Sequence, residues 1–390
     1  MPTIKNDLYD QLNTQVIPQK SSALRAWHQK FQADESVIDL SLGEPGFAVS
    51  QEVKHAFQEA IASDASHYAS TKGYVPLRER VAGYVTESFD APAYSVAETL
   101  ITVGATEGIY ATFQALFSRG DAIIIPMPAY PLYGNIAALL GIEIIPLDTR
   151  TTDFKVTPEG LEDLLGKHAN IKGFIFNDPT NPTGATYTAQ EVSDLAQVLL
   201  PTNLVVVTDE IYGALTYDDA EHVTIAKYLP EQTILIGGLS KSHAMTGYRL
   251  GFVLGPELLM NMITQVHQLM VSSVNTPLMI AGVTALDNHE NFAVMKRTYQ
   301  MQRDLMVEAL RALGFMVISP KGGFYVLAKL PASVVSEETF VSDLATQAKV
   351  GVLPGNIFGL PGYIRLSFAG NKADIEEAMD RMQQFLSTIA

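Results

Sequence analysis

Lys241 stands between two serines in the stretch ILIGGLSKSHAMTGYRLGF (residues 234–252), just after an apolar run that breaks at Gly237 and Gly238. A lysine placed past the end of a buried strand is poorly hydrated. Its charged form loses most there, so its pKa falls. A neutral amine of this kind attacks aldehydes, which is the requirement for a Schiff base. Ser240, Ser242 and Arg249 lie close by in the chain and are of the right type to hold an anion. A second chemical candidate comes from LVVVTDEIYGALTYD (residues 204–218). Its continuous Val-rich run reads as a strand buried on both faces. Asp209 and Glu210 fall at the carboxyl end of that run, where open parallel sheets bind ligands. A poorly solvated carboxylate there asks for a cationic partner.

Other groups fall at similar places. TLITVG (residues 99–104) is a β-rich run, and ATEGIYATFQALFSRGD after it reads as an amphipathic helix ending at Gly120. A strand–glycine–helix turn at Gly104 aims the free N–H groups of Ala105 and Thr106 outward, which suits a phosphate. The G-x-G-x-x-G dinucleotide fingerprint is absent. Residues 160–167 fail as a phosphate-binding P-loop, because His168 stands where Ser or Thr belongs. Tyr130 follows a buried strand in AIIIPMPAYPLYG and offers a ring face to a planar ligand. Asn181, in the turn NDPTNPTG, can donate a hydrogen bond into a cleft. The GEPGF turn exposes backbone N–H groups, with Gly43 permitting close approach. Tyr68, Lys72 and Tyr74 are candidates for a site or a subunit interface. Arg365, in YIRLSF, either faces solvent or reaches into an interlobe cleft.

The elements that must position these residues follow from patterning. Strands alternate with helices from about residue 99 to 255, which predicts a largely parallel, doubly wound α/β sheet. A helix is expected to begin near Pro76, a favoured first-turn residue. Phe292, Met295, Tyr299, Met306, Leu310 and Leu313 follow helical spacing and predict one long helix with its apolar stripe in the core. Strands in GFMVISPKGGFYVLAKL and YIRLSFAG, closed by a final polar helix, read as a second, α+β lobe.

Bulk properties limit the classes of function. The chain has 390 residues, enough for two packed domains with large cores. With 26 Lys+Arg against 42 Asp+Glu, its net charge is −16, which argues against nucleic acid or an anionic membrane as main partner. No cysteine is present, so disulfides and thiolate metal sites are excluded. The first residues are polar, and no apolar run approaches the ~18 residues of a spanning helix. The expectation is a soluble cytoplasmic protein.

A phosphate turn with Arg249, a ring face at Tyr130, a carboxylate at Asp209 and a nucleophilic Lys241 all ask for one ligand. A planar aldehyde carrying a phosphate and a protonatable ring nitrogen fits them: pyridoxal 5′-phosphate. The ordered series GEPGF, GATEG, PAYPLY, NDPTNPTG, TDEIY, GLSKSHAMTGYRLGF and YIRLSFAG resembles the class I/II aminotransferases of pyridoxal-phosphate fold type I, over nearly the whole chain. The resemblance implies a large domain over residues 46–285 and a smaller α+β domain formed by both chain ends, 1–45 and 286–390. It implies that Lys241 forms the internal aldimine and then moves the proton at the substrate α-carbon. Asp209 would pair with the ring nitrogen, Tyr212 and Asn181 with the phenolic oxygen, and Tyr130 would stack on the ring. Gly104, Ala105, Thr106, Ser240 and Arg249 would hold the phosphate, with Tyr68 contributed by a second subunit of a homodimer. Arg365, helped by Asn181 and the Gly43 backbone, would bind the substrate α-carboxylate.

The implied reaction is ping-pong transamination between an L-amino acid and a 2-oxo acid such as 2-oxoglutarate. Aspartate, aromatic amino acids and N-acetyl-diaminopimelate are the candidate donors. A carbon–sulfur β-lyase of the same fold is the alternative, and a non-catalytic ligand sensor a further one. One departure stands out: many relatives carry a phosphate-binding serine where this chain has Gly238, and Ser240 is expected to take over. Side-chain selection is expected from the N-terminal segment, Phe47, Tyr68 and Tyr74.

Overall fold

Side chains alternate across a strand, so a strand that is apolar at every position needs a cover of helices on each face. That requirement organises the larger part of this structure, a computed structural model that describes residues 23–287, 290–332, 334 and 336–389, with residues 5, 8, 11–13 and 16. Residues 1–37 read from their sequence as helical or irregular; most of 1–22 lie outside the described residues, and helix Ala23–Gln32 agrees with that reading.

The first strand, β1 (Ile38–Asp39), belongs to the smaller lobe. The large sheet contains β2 (Thr99–Val103), β3 (Ala122–Met127), β4 (Glu143–Asp148), β5 (Ile171–Asn177), β6 (Val205–Asp209), β7 (Thr233–Gly238) and β8 (Leu250–Leu254). Their order is β2-β8-β7-β6-β5-β3-β4. All neighbours pair in parallel except β8, which runs antiparallel to both β2 and β7. Ile175, Val207, Ile234 and Ile236 meet Ile109 and Phe113 of helix Gly104–Leu116 and Met260 and Ile263 of helix Glu257–Val271 on one face. Phe174, Phe176 and Val206 meet Leu161, Val192 and Leu195 on the other. The sheet is doubly wound, as the alternation of elements requires.

The smaller lobe is built from both ends of the described chain. β9 (Met316–Val317), β10 (Tyr325–Lys329), β12 (Leu353–Pro354) and β13 (Tyr363–Ser367) form an antiparallel sheet of order β12-β13-β10-β9, while β11 (Val350–Gly351) pairs in parallel with β1. Helix Glu290–Ala312 lays Met295, Tyr299, Met306 and Leu310 into this core, as their spacing predicts. Helix Val75–Phe89 has its proline in the first turn, also as expected.

One element is shorter than its pattern suggests. The helix expected to reach Gly120 stops at Leu116, because Phe117 adopts extended backbone and turns its ring edge-on to Phe113, inside the core. Residues 37–47 read as a short strand running into a turn, and the two residues of β1 followed by a turn agree with that reading.

Register then collects the chemistry at one edge. Asn177 lies opposite Asp209, and Asp209 opposite Ile236, so β5, β6 and β7 end side by side. Val103 pairs with Leu250 at the end of the antiparallel β2–β8 ladder. The next residue on one strand is Gly104 and the preceding one on the other is Arg249, so the ladder itself brings these two together.

Candidate active site

β7 ends in two glycines because the neighbouring strand lies too close for side chains. A Cβ at Gly237 would stand 2.4 Å from the Phe252 ring, and one at Gly238 3.0 Å from the Leu250 carbonyl oxygen. A serine at Gly238 would therefore be crowded, while Ser240 faces the cleft. The single turn Leu239–Ser242 carries Lys241 over the strand end into a cleft of about 630 Å³ between the lobes. Lys241 Nζ donates to the Gly43 carbonyl oxygen at 2.5 Å. Burial brings its pKa down to about 8; Glu44 opposes the shift, and Arg249 and Arg365 add to it. This is the poorly hydrated lysine that its position after a strand leads one to expect.

Asp209 is 4% exposed at the end of β6. The Tyr133 hydroxyl donates to its Oδ2 at 2.7 Å, and the Ile211 N–H to its Oδ1 at 3.2 Å. Burial raises its pKa to about 6 against those two hydrogen bonds. Both donors are neutral, so the carboxylate is oriented without being neutralised. Glu210, the next residue, points the other way: it meets His222 Nε2 at 2.9 Å and the hydroxyls of Thr208 and Thr224. Burial works against charge on His222, but Glu210 and Asp178 outweigh it and raise the pKa to about 10. The Asn177 amide ties the strand ends together, donating to the Asp209 carbonyl and accepting from the Asn181 N–H, each at 2.8 Å.

Gly104 opens helix Gly104–Leu116 with φ +73°, and a Cβ on it would lie 2.7 Å from Arg249 Nη2. Gly251 is as tightly held, since its Cβ would meet the Gly104 carbonyl carbon at 2.4 Å. The guanidinium therefore rests against the helix N-terminus, where backbone N–H groups and the helix dipole already favour an anion. Arg249 is steadied by donating to the Thr246 carbonyl at 2.9 Å. Ala105, Thr106 and Ser240 line the same cleft. Ser242 does not join them, because its hydroxyl pairs with His243 Nδ1 at 2.7 Å.

Arg365 resolves the choice left by its alternating strand: it is 1% exposed and reaches into the cleft. Its guanidinium is sandwiched between the rings of Tyr325 and Phe358, 3.8 and 4.6 Å from their centroids. Nη1 donates to Asn181 Oδ1 at 3.0 Å and Nη2 to the Ser41 carbonyl at 3.1 Å. Tyr212 donates its hydroxyl to that of Tyr325 at 3.2 Å.

The structure thus brings Lys241, Asp209, Tyr130, Ala105, Thr106, Asn181, Tyr212, Ser240, Arg249, Gly43 and Arg365 around one cleft, with Gly104 directly behind Arg249. Tyr68 lies apart, 87% exposed. Two residues expected at the mouth are elsewhere. Phe47 packs edge-on against Tyr299 and lines a different recess, and Tyr74 precedes helix Val75–Phe89 against the large-lobe core. Leu24, Arg25 and His28 of helix Ala23–Gln32, with Leu42 and Leu132, supply that wall instead. Tyr133 and Tyr325 escaped the sequence reading. Tyr133 had a usable signal, since it follows Tyr130 by three residues, one helical turn. Tyr325 had none, because it reads as an ordinary strand residue.

The sequence profile of the class I and II aminotransferases matches residues 35–382. The chain belongs to that family. This aminotransferase is 35% identical to the probable N-acetyl-LL-diaminopimelate aminotransferase of Bacillus subtilis, across 94% of its own length and 93% of that protein's. It is 34% identical to the aspartate aminotransferase of Pyrococcus horikoshii, across 94% and 95%. Among solved structures, the aspartate aminotransferase of Thermus thermophilus with maleate superposes with a TM-score of 0.91 at 30% identity, covering 96% of this chain and 99% of that one. Enzymes of this family use pyridoxal 5′-phosphate. The residues present fit that group: a cradle at Gly104 that a Cβ would fill, a buried carboxylate held by neutral donors alone, and a lysine with its pKa near 8. Among the described residues, no helix is long and apolar enough to cross a membrane.

Proposed function

We propose that this aminotransferase moves the amino group of an L-amino acid to a 2-oxo acid, 2-oxoglutarate in one half-reaction, with Lys241 as the proton-carrying residue. Bound pyridoxal 5′-phosphate supplies an aldehyde carbon for attachment and an electron-withdrawing ring. The protein's part is to bind, orient and move protons. Gly104, Ala105, Thr106, Ser240 and Arg249 hold the phosphate. Asp209, kept in place by Tyr133, presents a carboxylate to the ring nitrogen and keeps it protonated. Tyr130 stacks on the ring, while Tyr212 and Asn181 donate toward its phenolic oxygen. Arg365 takes the substrate α-carboxylate as a two-point partner with help from Asn181 and the Gly43 backbone. That leaves the α-hydrogen near Lys241, whose neutral amine removes it and returns it at the neighbouring carbon.

The observation that carries this reading is one buried lysine in a cleft that also holds Arg249 at a helix N-terminus and Arg365 on the other lobe. Aspartate, aromatic amino acids and N-acetyl-diaminopimelate are the donors to try first; the similarity to the Bacillus and Pyrococcus enzymes supports two of these. The purified protein with pyridoxal 5′-phosphate, 2-oxoglutarate and an amino-acid panel is expected to make glutamate. Pyruvate and ammonia without glutamate would show a β-lyase instead.

The working unit in this proposal is a cytoplasmic homodimer with lobes parting near residues 45 and 285. Supporting the dimer, Leu258, Met262, Leu269 and Met270 are exposed on helix Glu257–Val271, and Lys72 bonds to Asn261 of that helix at 2.8 Å. The segment carrying exposed Tyr68 therefore lies beside an apolar face suited to a second copy, into whose cleft Tyr68 can reach.

A further inference from the structure

Three parts of the site meet at Tyr325. Its ring lies 3.8 Å from the Arg365 guanidinium, and its hydroxyl lies 3.2 Å from that of Tyr212. A Cβ built on Gly43 would come within 2.3 Å of the same hydroxyl, so glycine at that position leaves the space the hydroxyl occupies. Tyr212 and Tyr325 are each 4% exposed. A phenol shielded from water must find its hydrogen-bond partner within the protein. Each of these two finds the other.

We propose that Tyr325 is a positioning residue with two separable tasks. Its ring holds the Arg365 guanidinium in plane for a carboxylate, and its hydroxyl backs Tyr212 as donor to the cofactor's phenolic oxygen. The proposal rests on the reading of Tyr212 and Arg365 given above. A tyrosine hydroxyl has one proton to donate. Here Tyr212 donates it to Tyr325. Once Tyr212 donates to a ligand oxygen, its only proton is committed, and the pair must reverse so that Tyr325 donates to Tyr212. A hydroxyl that accepts one hydrogen bond donates a stronger one, and low dielectric enlarges the effect.

Arg365, Tyr130 and Tyr133 face Tyr212, and Glu44, Arg249, Arg365 and Asp209 face Lys241. A stronger hydrogen bond to the phenolic oxygen draws electron density from it. The nitrogen that joins Lys241 to the cofactor then holds its proton less firmly. Tyr325 therefore lowers the pH at which that linkage loses its proton, while its ring acts on carboxylate binding alone.

The test compares Tyr325→Phe with Tyr325→Leu in the cofactor-loaded enzyme, reading the visible absorbance against pH and, separately, KM for the amino acid. Tyr325→Phe keeps the ring and is expected to raise the absorbance-monitored pKa by a few tenths of a unit, because it removes only the roughly 10–30% strengthening of a hydrogen bond that Tyr212 still makes. Its KM is expected to stay within about twofold of the native value, because the stacked ring is retained. Tyr325→Leu is expected to shift the pKa by the same amount and to raise KM roughly five- to tenfold through loss of the stack. An unmoved pKa in Tyr325→Phe overturns the hydroxyl's task. Equal KM values in the two variants overturn the ring's. If the native protein neither takes up the cofactor's colour nor transaminates, the fault lies in the underlying reading of the site.

Discussion

Removing the Tyr133 hydroxyl tests how the site controls the charge of Asp209. In the cofactor-free protein Asp209 has a pKa of about 6 against 3.8 for the free side chain. The folded state thus binds its proton more tightly than the unfolded one. Stability is lost as pH rises from 3.8 toward 6 and then levels out; two pKa units correspond to roughly 3 kcal/mol. The Tyr133 hydrogen bond opposes this rise, because it favours the carboxylate. A hydrogen bond to a charged acceptor contributes about 1.5–3 kcal/mol, so Tyr133→Phe is expected to lift the Asp209 pKa by a further one to two units or so. Urea unfolding of cofactor-free protein at a series of pH values reads this directly. The variant should match the native protein most closely near pH 5, where both carry the proton, and keep losing stability between pH 6 and 7.5 where the native curve has levelled. Other titrating groups cancel in the comparison. Parallel curves across that window would refute the claim that Tyr133 sets the charge of Asp209.

Lys241→Ala is expected to abolish turnover and the visible absorbance of the loaded enzyme while the cofactor-free protein melts no lower than native, since a buried amine has been removed; normal activity would sink the assignment. Gly104→Ala forces a side chain into φ +73° and against Arg249. The displaced guanidinium loses a charge-assisted contact of about 1.5–3 kcal/mol, so pyridoxal 5′-phosphate binding should weaken at least roughly tenfold, measured by equilibrium dialysis, with phosphate-free pyridoxal affected less. Arg365→Lys replaces a stacked two-point donor with a point charge, and KM should rise together for amino acid and oxo acid, roughly 30-fold for a loss of about 2 kcal/mol. A rise for one substrate alone would argue against a shared α-carboxylate site.

Much of the site was legible because its residues sit where strands end. Gly104 after β2, Asp209 at the end of β6 and Lys241 just past β7 could all be marked from apolar runs that stop abruptly. The charges of Asp209 and Lys241 after such runs point to a cleft, and the glycines of GGLSK point to strands too close for side chains. Arg365 was different. In a strand of alternating polarity both directions are open, and only the packing of β13 against β10 and the Tyr325 ring decides that it turns inward. Phe47 misled for a related reason: an aromatic after a turn looks available, yet the ring of Tyr299 claims it.

The sequence by itself determined the doubly wound large lobe, the second lobe, the family and most of the residues around the cleft, because apolar period and turn chemistry are local and each block carries its own signature. The tertiary structure alone decided which partners those residues have. Tyr133 reaches Asp209 across 76 positions of chain, and Tyr212 meets Tyr325 across 113. The antiparallel register of β2 and β8 sets Arg249 against Gly104. The size of the shifts at Lys241 and Asp209 was likewise decided there, since desolvation depends on everything packed around a group and no local pattern records it.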